Sequence, residues 1–376
     1  MSISSTVDPR LITITAGLPR PVWSTDELLA AGRGHLSDHL VHMLGRLGVH
    51  TRHSILANYT DVLFRGAEPK LDISATDLAV DAARKCLAKS GVPADSIGLV
   101  LGVTSSPARL LPSLVCDLIA RMPELPRTVA NLSIAYMGCS AMAKVVETVR
   151  WFLTSHPDQR VLVSFMDAIT PLSPPLPDFY SHFSEIDAAQ RQATVNAMHG
   201  FLFGDATVAM LFAADGDGPV FGPVANLTNE RADDTELGTV PDGGSDVPVV
   251  DGRRLYTLSP DVTARGAHYA RETVRALLNG GQTVDPREAA LLLMHTGSTR
   301  ILDRLCTQFG VAPDSAAVAS SYRVLRDYGN TIGCSVPLML AEPVHRPAGE
   351  GLVLAFGLSF SCGAFSMTIP HGGWTP

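Results

Sequence analysis

Short apolar runs alternate along this chain with longer stretches in which apolar residues recur at helical spacing. The runs fall at 96–103 (SIGLVLGV), 130–137 (ANLSIAYM), 160–166 (RVLVSFM), 206–214 (ATVAMLFAA), 289–296 (AALLLMHT) and 351–358 (GLVLAFGL). A strand with one wet face alternates apolar and polar residues, whereas a strand covered on both faces reads as an unbroken apolar run. Runs of the second kind separated by helical stretches predict an α/β architecture with sheets covered on both sides.

The chain also resembles itself. Helix, glycine-containing turn, acidic loop, apolar strand and small polar residues follow in that order at 83–106 and again at 273–298, and the run at 160–168 has a late counterpart at 351–359. Such self-similarity predicts one α/β unit used twice. The expected N-terminal half is 1–216 and the C-terminal half 217–376, with the seam in the Gly- and Pro-rich stretch near 215–220. Segment 169–199, Pro-rich and then helix-like, interrupts the first half and is expected to cap a pocket or meet a partner. The acidic, glycine-rich stretch 226–252 reads as a surface excursion without chemistry.

Composition narrows the class. Of 376 residues 46% are hydrophobic and 18% charged, so most of the chain must be packed, and 29 Lys and Arg against 37 Asp and Glu give a net charge of −8. An acidic balance argues against nucleic acid as the main partner. The N-terminus lacks the pattern of a signal peptide, and no apolar stretch reaches about 18 residues, so the expected location is cytoplasmic and no membrane is implied. Six scattered cysteines without a C-x-x-C pair are expected to be free thiols. Cys116 lies on an apolar helical face and is expected in the core. His35, His39 and His42 recur at helical spacing, but no carboxylate or thiol nearby completes a metal site.

Three residues carry candidate chemistry. Cys139 follows an apolar run through one glycine and precedes 140–153 (SAMAKVVETVRWFL), whose apolar positions have helical spacing. That places a thiol at a helix N-terminus, where unpaired amides and the macrodipole favour thiolate. His295 closes the run AALLLM, at the strand edge where α/β sheets bind ligands. Asn330 sits where Tyr-Gly-Asn breaks the chain before a new helix. Alone, each has a plainer reading: a small buried hydrophobe, a core or surface histidine, and a turn residue or N-cap. Together they form the set that thioester chemistry requires: a sulfur that takes an acyl group, and neutral donors that stabilise an enolate or oxyanion.

At this point the sequence resembles the thiolase-fold condensing enzymes, specifically ketoacyl-acyl-carrier-protein synthase III and type III polyketide synthases. The anchors are GVHTRH (48–53), PSL (112–114), GCSA (138–141), FLFGDATVAML (201–211), MHTGSTRILD (294–303), YGNTIGCSVPL (328–338) and AFGLSFSCGAF (355–365), in the expected order from about residue 45 to 369. The resemblance implies a five-layered α-β-α-β-α fold of two duplicated halves, normally a homodimer. It makes Cys139 the acyl-accepting nucleophile and His295 and Asn330 its hydrogen-bonding partners, with the backbone amides of Cys139 and Leu358 as oxyanion hole. Phe203, Gly204 and Asp205 match a structural motif. Acyl-CoA or acyl-carrier-protein thioesters are the implied substrates, with no cofactor.

The branch is mixed. Tyr136 before Met-Gly-Cys-Ser-Ala, and Tyr-Gly-Asn, resemble type III polyketide synthases; Thr-Ile-Gly-Cys-Ser-Val-Pro and the C-terminal FGLSFSCGA resemble synthase III. Arg300, five residues after His295, stands where synthase III enzymes contact the carrier protein. Two positions depart from synthase III: Gly357-Leu358-Ser359 replaces three glycines, and Thr296-Gly297-Ser298 replaces Gln-Ala-Asn. The expectation is therefore a specialised acyltransferase of secondary metabolism, such as polyketide biosynthesis, that loads Cys139 and condenses decarboxylatively with a malonyl-type thioester. Transfer of the acyl group to a hydroxyl or amine is the alternative, and a non-catalytic thiolase-fold partner subunit is the second.

Overall fold

The computed structural model describes all residues except 1–5, 174, 177–185, 241–256, 283, 296, 358 and 359, and except the side chains of 186–193. Nine strands join edge to edge: β1 (Arg10–Gly17), β2 (Ile97–Ser106), β3 (Ala130–Ala135), β4 (Arg160–Asp167), β5 (Ala206–Ala213), β6 (Val220–Thr228), β7 (Leu291–Met294), β8 (Gly349–Gly357) and β9 (Ser361–Ile369). Their order is β7-β8-β9-β6-β1-β5-β4-β2-β3. Outward from β1, the neighbours β5 and β4 pair antiparallel, and then β2 and β3 pair parallel. Outward from β6 the pattern repeats, with β9 and β8 antiparallel and β7 parallel. A single residue pair, Arg10 with Val220, joins the two sets.

Helices fill three further layers. α1 (Ala75–Ser90) and α2 (Leu114–Arg121) cover the outer face of the first set. α3 (Ala141–Ser155) and α7 (Ser335–Ala341) lie between the sets, and α4 (Val262–Asn279), α5 (Thr299–Phe309) and α6 (Ala319–Tyr328) cover the second from outside. Successive residues of one strand therefore serve different cores. On β4, Val161, Val163 and Phe165 pack inward with α3, while Leu162 and Met166 pack outward with α1 and α2. On β8, Val353 and Ala355 face α3, while Leu352, Leu354 and Phe356 face α4. This is why the inner strands read as continuous apolar runs, whereas β3 at the sheet's end is mostly exposed, against the expectation of cover on both faces; each fully buried Val, Leu or Phe contributes about 1.5–3 kcal/mol.

Capping sets the helix ends. Ser74 accepts from the Asp77 amide at the start of α1, Ser298 accepts from the Ile301 amide at the start of α5, and Gly91 and Gly310 end these helices in the left-handed region. β1, β6 and β9 have no counterpart among the predicted runs, because polar or small residues interrupt RLITITAG, VFGPVANLT and SCGAFSMTI. Cys116 is exposed rather than in the core. Leu114, Val115, Asp117 and Leu118 take the buried stripe of α2, and helical geometry turns residue 116 away. His39 and His42 lie on the short helix Asp38–Leu44, where His42 pairs with Arg46 at 3.1 Å, and His35 stacks on Phe64. Among the described residues no helix is long and apolar enough to cross a membrane.

The helix that begins beside Cys139 is seated directly on β9. A Cβ added at Gly363 would lie 2.1 Å from the Ala143 Cβ of α3. Gly363→Ala is expected to force α3 and β9 apart and to lower stability by at least about 2 kcal/mol, seen as a lower urea midpoint; an unchanged midpoint would show that this contact yields freely.

Candidate active site

The carboxyl ends of parallel strands deliver Cys139 and His295. β3 ends at Ala135, Tyr136 turns at φ 59°, and Gly138–Ser140 form a single 3-10 turn before α3 begins at Ala141. Cys139 on that turn is buried. Its thiol donates to Asn330 Oδ1 at 3.7 Å. Gly357 at the end of β8 lies against the same turn: a Cβ there would come within 2.7 Å of the Met137 carbonyl and 3.2 Å of the Cys139 nitrogen. Only glycine permits that approach of two backbones.

Asn330 follows α6 and Gly329. Its backbone is tied to the end of the helix Ile186–Leu202, donating to Leu202 at 2.9 Å and accepting from the Gly204 amide at 3.2 Å. The Ile332 amide donates to its side chain at 2.9 Å and the Ser335 hydroxyl at 3.4 Å. Because a backbone N–H must meet an acceptor, that atom is Oδ1, and Nδ2 is left as the donating end of the amide. Ile332 itself turns at φ 53°, a strained setting for a β-branched residue.

His295 directly follows β7, and its amide extends the ladder to Leu354 at 3.0 Å. The ring is buried and stands edge-on to Phe356, with centroids 6.0 Å apart. It lines a largely apolar cleft between α4 and α5, about 380 Å³ with its open mouth included, to which Val262, Gly266, Ala267, Ile301 and Arg304 also contribute. Cys139 and Asn330 thus touch directly, and His295 reaches them through neighbouring Phe356 and Gly357 of β8.

Burial governs the protonation states. It pushes the Cys139 thiol well above its usual range, the charge of Asp167 adds to the effect, and the bonds to Asn330 and to the backbone amide of Cys139 offset only part. The expectation that the helix N-terminus favours thiolate is therefore corrected, because desolvation outweighs the amides here. Burial alone lowers His295 to about 4, so the imidazole is neutral at physiological pH.

Leu358, and Thr296 beside the histidine, lie outside the described residues, as does part of segment 169–199. Arg300 is exposed on the first turn of α5, and Arg304 one turn later contributes to the cleft. Arg304 was legible only as the i+4 partner of Arg300 in STRILDR. Asp167, also missed, is buried at the end of β4, surrounded by donors and raised by that burial to about 6. Its one sequence signal is an acid closing an apolar run.

Two sheet sets with helices outside and between them, and a cysteine at the start of a central helix, define a thiolase-fold protein. In sequence it is similar to synthase III proteins, and in fold to both synthase III and type III polyketide synthase structures. Residues 281–369 match the family model described as 3-oxoacyl-(acyl-carrier-protein) synthase III C terminal. Beta-ketoacyl-(acyl-carrier-protein) synthase III from Nitratidesulfovibrio vulgaris (strain DSM 19637 / Miyazaki F) is 27% identical over 307 residues, covering 77% of this chain and 82% of the relative. That of Porphyra umbilicalis is 25% identical, covering 79% and 85%. Among solved structures, the C-terminal type III polyketide synthase domain of Steely1, a type I/III hybrid from Dictyostelium, superposes with a TM-score of 0.78 at 18% identity, covering 96% of this chain and 99% of that one. The 3-oxoacyl-(acyl carrier protein) synthase III of Pseudomonas aeruginosa PAO1 gives 0.72 at 20% identity, covering 96% and 98%.

With its thiol held protonated, Cys139 is expected to react slowly with iodoacetamide at pH 7 and progressively faster above pH 9, followed by intact mass and peptide mapping. A plateau already reached by pH 8 would contradict the electrostatic reading.

Proposed function

We propose that this protein is an acyl-thioester transferase that loads an acyl group on Cys139 and condenses it decarboxylatively with a malonyl-type thioester. The observation that carries the reading is the contact of the Cys139 thiol with Asn330, together with a cleft lined in part by His295. In the loading step the Cys139 sulfur forms a bond to the thioester carbonyl carbon. The bond from that carbon to the donor sulfur breaks, and the proton lost by Cys139 leaves with the donor as its free thiol. In the second step the malonyl-type thioester loses carbon dioxide, and its carbonyl becomes an enolate. The enolate carbon then attacks the acyl-cysteine, and the Cys139 sulfur leaves and recovers a proton. His295 and the Asn330 amide donate hydrogen bonds to the enolate oxygen.

The protonation of His295 favours condensation over transfer to an alcohol or amine. An imidazole whose conjugate acid lies near 4 is a weak general base at pH 7, yet it remains a competent neutral donor. The non-catalytic reading is disfavoured because cysteine, histidine and asparagine are all present. Donors on CoA or on an acyl carrier protein both suit a cleft with Arg304 on its wall and Arg300 exposed nearby, where a phosphate or an acidic carrier meets guanidinium groups. Departure from the synthase III pattern at Leu358 and at 296–298 supports a specialised, secondary-metabolic role such as polyketide biosynthesis. The repeated strand order supports division into halves 1–216 and 217–376.

A homodimer across β3 is proposed on the same footing. β3 ends the sheet, is mostly exposed, carries exposed Leu132 and is followed by exposed Tyr136. An open apolar edge is a template for pairing.

Incubation with acyl-CoA and acyl-carrier donors is expected to add one acyl mass to the wild type and none to Cys139→Ala. The loaded enzyme mixed with malonyl-CoA is expected to release carbon dioxide at a rate with no histidine limb between pH 7 and about 5, since His295 stays neutral until pH nears 4. An adduct surviving in Cys139→Ala would sink the covalent step. Acyl transfer to an alcohol or amine without carbon dioxide would sink condensation. Light scattering is expected to find a dimer that Leu132→Asp dissociates, and a wild-type monomer would end that proposal.

A further inference from the structure

We propose that Asp167 is a positioning residue whose two carboxylate oxygens hold the Cys139 turn and the Asn330 loop in register. The inference rests on the reading of Cys139 and Asn330 as an acyl-transfer pair, and it concerns what keeps them together.

Asp167 is the last residue of β4 and is 1% exposed. Its Oδ1 accepts from the Ser105 amide at 2.7 Å, the Ser106 amide at 3.1 Å and the Ser106 hydroxyl at 3.0 Å. Ser105 passes the link on, since its hydroxyl accepts from the Gly138 amide at 2.9 Å, one residue before the nucleophile. Oδ2 accepts from the Gly333 amide at 2.9 Å. Gly333 follows Ile332, whose amide donates to the Asn330 side chain. One carboxylate therefore spans both loops, on which the thiol and carboxamide lie 3.7 Å apart.

The residue type follows from its partners. Every close partner of Asp167 is a donor, so the group between them must accept on both atoms. Asparagine has the same shape, but its NH₂ would face either the Gly333 amide or those of Ser105 and Ser106, donor against donor, and release one loop. A buried carboxylate is costly, and it is tolerated only where hydrogen bonds replace its water. Asp205 offers the contrast. It is equally buried and accepts from the Ile55, Ile169 and Thr170 amides and the Thr170 hydroxyl, none of which lies on the cysteine turn or the asparagine loop. A carboxylate that merely stitches the core has that kind of partner set.

Asp167 also lends the site its charge. It is the charged group that acts on the Cys139 thiol, while Asn330 and Cys334 on the facing loop are uncharged. Position and charge can be separated experimentally, because Ser105→Ala removes the link to Gly138 and keeps the carboxylate, whereas Asp167→Asn alters both.

The test measures acyl loading and iodoacetamide alkylation of Cys139 in wild type, Ser105→Ala, Asp167→Asn and the double variant, each checked for cooperative melting. Both single variants are expected to slow loading about tenfold or more with unchanged half-saturation by the donor. The double variant is expected to be no slower than Asp167→Asn, because both changes cut one path. The alkylation curve is expected to move about one pH unit lower in Asp167→Asn and to stay in place in Ser105→Ala. Loading at the wild-type rate in folded single variants, losses that multiply in the double variant, or an unmoved alkylation curve in Asp167→Asn would overturn the proposal. If Asp167→Asn does not fold, half-buried Ser105→Ala decides alone. If the wild type accepts no acyl group from any donor, the acyl-transfer reading fails, and the alkylation curves still decide whether Asp167 acts on Cys139.

Discussion

A thiol and a carboxamide 191 residues apart in sequence meet because the helices that begin beside them share one layer. α3 starts after Cys139, α7 starts after Asn330, and both lie between the two strand sets. Their side chains Val145, Val146, Val149, Val336, Leu338 and Met339 fill the same core with Val163, Phe165, Val353 and Phe365. A close-packed interior does not slide, so the apolar sandwich transmits its rigidity to the loops at its edge. The chemistry then needs only short polar links at the strand ends, and the Asp167 and Asn330 hydrogen bonds supply them.

The electrostatic state follows from the same burial. A buried site disfavours isolated charges, so the thiol is driven up and the imidazole down, and both groups rest neutral. Acyl exchange suits that condition, because one thioester and one thiol become another thioester and another thiol, with no net charge made. In the proposed condensation the demanding moment is the enolate of the second step. Neutral donors in low dielectric stabilise it strongly, since they do not have to reorganise water. A histidine tuned near neutrality would strip protons better, but it would also carry a charge into the resting cavity.

The strands that became β2, β4, β5, β7 and β8 were readable because burial on both faces leaves no polar alternation. β1, β6 and β9 were not, because Thr13 and Thr15 on β1 and Gly363 on β9 break the apolar signal at positions that only the folded sheet explains. Cys139, His295 and Asn330 could be singled out because each stands at a change from one periodicity to another. The sign of the Cys139 shift could not, since a helix N-terminus is visible locally and desolvation is not. Asp167 escaped because an acid after an apolar run ordinarily marks the start of a surface loop. Its meaning comes from Ser105 and Gly333, which lie 62 and 166 residues away.

Backbone strain at the site has the same origin. Among the described residues, four other than glycine have positive φ, and three of them flank the site: Tyr136 before the cysteine, Ile332 after the asparagine, and Phe360 just beyond β8. Each such residue costs of order 1–3 kcal/mol, and a β-branched isoleucine stands at the unfavourable end. Relaxed backbone at these points would carry the chain on past the sheet edge, whereas a left-handed residue reverses it within one step. That reversal lets the Ile332 amide reach the Asn330 side chain at 2.9 Å, and the following Gly333 amide reach Asp167. The strain is local, and the restoring force is the layered core on both sides. The three strained turns therefore belong to one constraint: polar groups must be aimed at one buried point from strand and helix ends that meet there.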